Sequence, residues 1–503
     1  MARNPTTKAQ VQAYQFLLRR MESALVRKDP VMLHEPMRTH TRAVIVGAIL
    51  GALGLAAFFV VGLFAPDDDL TSAQIVVGKQ SGAVYVVQQA EPVRLVPVRN
   101  LASARLLLVS PAFTGDAGPA GPAEVRVVED SSLADAPRAP LTGIEGAPAY
   151  LPGPDRQVEP DWAVCDAADL NASLPNPEAA PEVTTTALVG VPRPGDPLGP
   201  GRALLVQSPE GTEYLVFGGR RAAVDRGDTA VRNAFRLSDV VPRPVSAGLL
   251  NAIPASRALV APDVAGADEP VLFSRLSSQR VGDVVKVERA GGEEFFVLLR
   301  DGKQQVERAV ADLLRFDRSD KQIPLVSLED IGSVPDAPPA ARIEVGGFPA
   351  TVPEIVPTAA SRVACLTWSM RGDKEPRTAI TISEEITLDE GMTPVRVPSS
   401  GPGSGGADQV FVPPSRGALV RGVVPGQEPG SGSIFLVTDL GFRYGVPSLE
   451  IAAALGLGET TQPAPEAVLD LLPIGPSLDP QIALQLFDPE LAAEQLAEQL
   501  ADR

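Results

Sequence analysis

Histidine is nearly missing from this 503-residue chain: there are two, His34 and His40, and none after residue 40. Over all that follows, Ser-His-Asp triads, Cys-His nucleophiles, H-E-x-x-H zinc sites and imidazole acid–base chemistry are therefore excluded. Cysteine is as scarce, with Cys165 and Cys365 alone, and so is tryptophan, with Trp162 and Trp368. The phosphate-cradling pattern G-x-x-x-x-G-K-[ST] does not occur, and the glycine clusters Gly346-Gly347 and Gly456-Leu457-Gly458 lack its lysine. Carboxylates are so abundant that no pair stands out as a hydrolase acid and base. No catalytic, cofactor-binding or metal-ligating residue is expected. Basic residues are in the minority, 44 Lys and Arg against 62 Asp and Glu, which leaves a net charge of −18. Such a surface argues against nucleic acid as a partner.

Against this background one apolar run dominates. Ala43 to Ala65 is 23 residues without a charge. As a helix rising about 1.5 Å per residue it covers the roughly 30 Å hydrocarbon core of a bilayer. Residues 1–42 hold eight Lys and Arg and three Asp and Glu, with Arg38 and Arg42 against the run, and Asp67, Asp68 and Asp69 follow it. The positive-inside bias then places the N-terminus in the cytoplasm and residues 66–503 outside. A cleaved signal peptide fits less well, because the leader is long, the run exceeds the usual length and no clean cleavage site follows.

The cytoplasmic segment, 1–42, predicts an amphipathic helix from Thr7 to Arg27. Val11, Tyr14, Leu17, Leu18, Met21 and Leu25 fall on one face at helical spacing. With no domain of its own to pack on, that face must meet a partner, a sister copy or the membrane surface, and docking of a partner is the expected role.

Outside the membrane thiols oxidise, so Cys165 and Cys365 are expected to pair. Trp162 lies three residues before the first cysteine and Trp368 three after the second, so both pairs share the constant sum 530. Antiparallel pairing with the cysteines opposed would also oppose the tryptophans, on the other face. A bridge between loops is the alternative.

Fold class reads as mixed α+β: a single-pass membrane protein whose ectodomain holds four degenerate β-β-α repeats around a central β domain. Each repeat has a β-rich run and then a short helix, with a hairpin signal in the last three at Gly218-Gly219, Asp301-Gly302 and Asp439-Leu440-Gly441. The expected divisions are a membrane helix 43–65, a linker 66–80, repeats at 81–154, 201–269, 270–339 and 417–482, central β segments at 155–200 and 340–416, and a helical tail 483–503, with Asp488 as cap. A unit this small cannot bury its own apolar face and must pack on others.

Several blocks resemble the EccB family, a core membrane component of ESX, or type VII, secretion systems of actinobacteria. They are Thr7–Arg38 before one membrane helix, Ser81–Leu108, Gly143-Ile144-Glu145-Gly146-Ala147-Pro148, Trp162-Ala163-Val164-Cys165-Asp166 and Leu471–Leu478. The resemblance implies a structural subunit of an inner-membrane pore complex with EccC, EccD and EccE as partners, and copies that self-associate through the ectodomain. It also implies four repeats around a central β domain, likened to a phage cell-wall-binding fold. Family members are often described as ATPases, which the missing phosphate loop does not support here. A membrane-tethered cell-wall-binding module is a further alternative.

Overall fold

The computed structural model describes residues 7–28, 36–63, 70, 73–88, 93–114, 121–134, 136–171, 173, 175, 177–178, 181–318, 322–371, 375–398, 405–425 and 430–485. The chain divides into two units, residues 1–69 and 70–503.

In the first unit, helix α1 spans Lys8–Arg27. Thr7 caps it: its hydroxyl accepts the Gln10 N–H at 3.4 Å, and the Gln10 side chain accepts the Thr7 N–H at 2.9 Å. This reciprocal exchange satisfies two donors that a helix start leaves free. Lys28, at φ 53°, ends the helix in the left-handed region. Helix α2 spans Pro36–Leu63. It starts before the apolar run because Pro36 suits a first helical position and nothing from Met37 to Arg42 interrupts the backbone pattern. Its stretch His40–Val60 is long and apolar enough to cross a membrane.

The second unit is built around one antiparallel pair of strands distant in sequence, Asp161–Asp169 and Val363–Ser369. Cys165 lies opposite Cys365 and Trp162 opposite Trp368, the register of the constant sum. The cysteines form a disulfide with Cα atoms 4.0 Å apart. Because side chains alternate along a strand, the odd spacing of three puts the two pairs on opposite faces. Trp162, Val164, Leu366 and Trp368 enter one core, while Cys165, Leu188, Cys365 and Phe411 form another on the far side. Five more strands extend the pair into a seven-stranded sheet. Its order is Val395–Arg396, Gln409–Phe411, Glu182–Val189, Asp161–Asp169, Val363–Ser369, Arg377–Ser383, Asp196–Pro197.

Among the described residues four smaller sheets accompany it. Each opens with three antiparallel strands in chain order. These are Ile75–Gly78, Val84–Gln88 and Arg94–Val98; Arg202–Gln207, Glu213–Phe217 and Arg220–Val224; Val284–Arg289, Gly292–Leu299 and Gly302–Val306; and Gly417–Val423, Ile434–Thr438 and Arg443–Val446. A helix follows each triplet: Leu101–Val109, Thr229–Ala234, Arg308–Arg318 and Leu449–Ala454. The chain then returns parallel to the first strand, at Val125–Val128, Arg243–Pro244, Leu325 and Gln462–Pro465. The turn Gly218-Gly219 shows how local chemistry sets one hairpin. Both residues have positive φ, 55° and 76°, as a two-residue loop matched to strand twist requires.

The cores link these sheets in a fixed order. The tryptophan face of the central sheet is covered by Leu204, Val206 and Leu249 from the second small sheet and by Val420, Val437 and Leu469 from the fourth. The first sheet packs on the fourth through Leu106 and Leu107 against Leu436 and Leu455. The third reaches the second through Ala309 and Leu313 against Val231 and Phe235.

Two boundaries differ from the sequence expectation. Residues 75–78, expected in a linker, form the first strand of the first sheet, because Ile75 and Val76 are fully buried. Glu354–Ile355, expected in the central domain, instead pairs with the second small sheet at Arg202 and Ala203. The expected tail helix beginning at Asp488 lies outside the described residues, as does most of the glycine-rich loop 400–406.

The disulfide closes a loop of about 200 residues, so the entropy of the unfolded chain assigns it up to about 5 kcal/mol. Replacing both cysteines with alanine is expected to lower the urea midpoint markedly. Tryptophan fluorescence reads the change, since both indoles sit in the affected ladder. An unchanged midpoint would contradict this.

Candidate interaction surfaces and a buried carboxylate

Helix α1 buries no residue within its unit. Val11, Tyr14, Leu17, Leu18, Met21 and Leu25 are between 44% and 81% exposed. A stripe of six such side chains costs free energy in water unless something covers it. The charged residues Arg19, Arg20, Arg27 and Lys28 stand among and beside them. Arg38 lies in the first turns of α2 and Arg42 is exposed on it, while Asp67, Asp68 and Asp69 fall outside the described residues. On α2 the apolar side chains from Val44 to Val60 are at least half exposed. Both α1 and α2 thus expose large apolar side chains within their unit.

In the second unit the notable polar group is Asp166, which follows Cys165 directly in the central strand and is 2% exposed. Its carboxylate accepts the Ser246 N–H at 2.6 Å, the Ser246 hydroxyl at 2.9 Å and the Thr185 hydroxyl at 2.9 Å. Ser246 also caps the helix Ala247–Ala252, accepting the Leu249 N–H at 3.0 Å. One carboxylate thus ties the central sheet to the second small sheet. Burial pushes the Asp166 carboxyl up to about 6, against the opposing pull of those hydrogen bonds and of Arg243. Burial also lowers the Arg243 guanidinium to about 10, although Asp166 and Glu178 favour its charge. Arg243 donates to the carbonyls of Ser361 and Arg362, a second tie from the second sheet to the central strand that follows them. In the sequence Asp166 stands out only as the end of the block Trp162-Ala163-Val164-Cys165-Asp166, with no role of its own, and Thr185, Arg243 and Ser246 carry no signal. The available signal was one acid inside the apolar run Trp162-Ala163-Val164-Cys165-Asp166-Ala167-Ala168. Among the described residues no group of His, Cys, Asp and Glu could hold a metal ion.

The family model described as Type VII secretion system ESX-1, transport TM domain B, matches residues 3–489. The chain belongs to the EccB family. An "ESX-3 secretion system ATPase EccB3" of Mycolicibacterium smegmatis is 32% identical over 499 residues, covering 96% of this chain and 91% of the relative. The "ESX-5 secretion system ATPase EccB5" of Mycobacterium tuberculosis is 30% identical over 501 residues, covering 96% and 94%. Among solved structures, a chain of the intact ESX-5 inner membrane complex superposes with TM-score 0.68 at 27% identity, covering 97% of both chains. The EccB3 dimer of the ESX-3 core complex gives TM-score 0.68 at 29% identity, covering 82% of this chain and all of that one. This EccB-family chain thus combines one candidate membrane helix with a mostly β second unit.

Asp166 holds its proton more tightly in the fold than in the unfolded chain, so its stabilising contribution is complete below about pH 4 and lost as pH rises through about 6. The full excursion is worth at most about 3 kcal/mol. Asp166→Asn lacks this titration. The stability of the native protein relative to Asp166→Asn should therefore fall between pH 4 and pH 7 in urea unfolding read by fluorescence. Parallel pH profiles would contradict the assignment.

Proposed function

We propose that this chain is a structural subunit of an ESX inner-membrane secretion complex that scaffolds its periplasmic assembly for protein export. Helix α1 lies in the cytoplasm and docks other subunits, the EccC, EccD and EccE components being the expected partners. Helix α2 crosses the membrane once in contact with lipid, and the second unit lies in the periplasm and self-associates. The observation that carries this reading is the two-way 97% match to a chain inside an intact ESX-5 inner membrane complex. The exposed stripe on α1 and the charge step across α2 support the docking and the orientation.

The ectodomain is read as four degenerate copies of one unit around the central sheet. Each copy is larger than a β-β-α motif, with a strand before the hairpin and a parallel return after the helix. A recurring backbone exchange supports this. The N–H groups of Leu95, Arg221, Lys303 and Arg443 donate to the carbonyls of Pro137, Pro254, Pro335 and Pro473, at 2.8 to 2.9 Å. The residue two places after each proline, Ala139, Ser256, Ala337 or Gly475, donates back to the same strand residue. Proline suits this position because its carbonyl is used and its missing N–H is not needed.

ATP hydrolysis, carried in the names of the relatives, finds less support. The sequence has no phosphate loop.

Replacing Leu17, Leu18 and Met21 together with serine leaves the Thr7 cap and the helix charges in place. It should release the protein from its membrane complex on a native gel while membrane insertion persists. A complex of unchanged size would count against docking through α1.

A further inference from the structure

The third small sheet carries a recess of about 450 Å³ between the start of its first strand and the end of its helix Arg308–Arg318. In a chain with 18 excess negative charges its wall is basic: Arg280, Arg315 and Arg318 line it with Asp268 and Asp283. The three guanidinium groups are unequally satisfied. Arg318 pairs with Asp268 and lies 3.7 Å from Asp283. It lies close over Gly282, at φ 90°, where a Cβ would meet its Nη1 at 2.8 Å. Arg315 stacks on the Phe316 ring at 3.7 Å and has one distant carboxylate, Asp312 at 3.7 Å. Arg280 donates to the Asp268 carbonyl at 2.7 Å and has no carboxylate within ion-pair distance among the described residues. The Nε atoms of Arg315 and Arg318 are buried without a hydrogen-bond partner. Guanidinium donors left short of acceptors in a concave site match the planar, multiply accepting oxygens of a carboxylate or a phosphoryl group. The Ser278 and Gln279 side chains at the rim add neutral donors.

We propose that this recess binds an oxyanion, a phosphoryl or carboxylate group presented by a small ligand, with Arg280 and Arg315 as the contacting residues and Arg318 as the fixed floor. Asp268 and Asp283 hold Arg318, Asp312 lies beside Arg315, and Arg280 has no ion-pair partner of its own among the described residues. The site would add a ligand-binding function to the third sheet that does not depend on the role of the chain in secretion.

The test is isothermal titration of the full chain in detergent at low ionic strength, with inorganic phosphate in one arm and acetate in the other. Saturable binding is expected in at least one arm, and the stronger arm tells which group the site prefers. Arg280→Gln and Arg315→Gln combined should weaken it by about tenfold or more. Arg280→Lys should weaken it less than Arg280→Gln, and because Arg280 is exposed these single variants are informative even if the double variant folds poorly. No saturable binding of either anion, or binding unchanged by both Arg280 variants, would overturn the proposal.

Discussion

Everything in the second unit depends on one ladder, seven residue pairs long, between Asp161–Asp169 and Val363–Ser369. Its strands belong to segments separated by the whole of the second and third small sheets. Closing so long a loop costs entropy that local contacts cannot repay. The ladder offsets it with two devices on opposite faces. The indoles of Trp162 and Trp368 are buried under two small sheets, and the disulfide holds the register from the other side. A slip by one residue would move both pairs to the wrong face at once, so register and core specify each other.

From this ladder the remaining sheets follow in order. The second and fourth sheets share its tryptophan core, the third attaches to the second, and the first attaches to the fourth. Polar ties reinforce the joints. Asp166 and Arg243 join the central sheet to the second, and the Arg105 side chain crosses from the first sheet's helix to the Leu455 carbonyl of the fourth at 2.5 Å. These ties are buried or half-buried, where a broken partner costs more than at the surface. These buried polar groups are directed inward, from sheet to sheet.

The sequence disclosed the ladder because scarcity made it readable: two cysteines and two tryptophans with one constant sum leave few registers. Helix α1 was legible in the helical spacing of Val11 to Leu25. The helices of the four small sheets were legible in the sequence, and so were the hairpins of the last three, in Gly218-Gly219, Asp301-Gly302 and Asp439-Leu440-Gly441. The first strand of each sheet was not. Ile75–Gly78 is four residues long and its pattern is set by a neighbour beyond a turn, not by its own alternation. The parallel returns were hidden for a similar reason, being as short as the single residue Leu325 and defined only by the strand they join. Asp166 escaped notice because a buried acid is recognisable only once Ser246 and Thr185 are known to face it.

The most direct test of the account is native-state hydrogen exchange on the full chain, followed by mass spectrometry of peptides covering residues 161–169 and 363–369, with and without Leu366→Ala. Leu366 is 3% exposed in the tryptophan core, so its truncation weakens that face of the ladder alone. The account predicts that both peptides belong to the slowest-exchanging class and that both speed up together in the variant. Protection lost from residues 363–369 but kept by residues 161–169 would show two independently stable segments, and would contradict a body organised by their pairing.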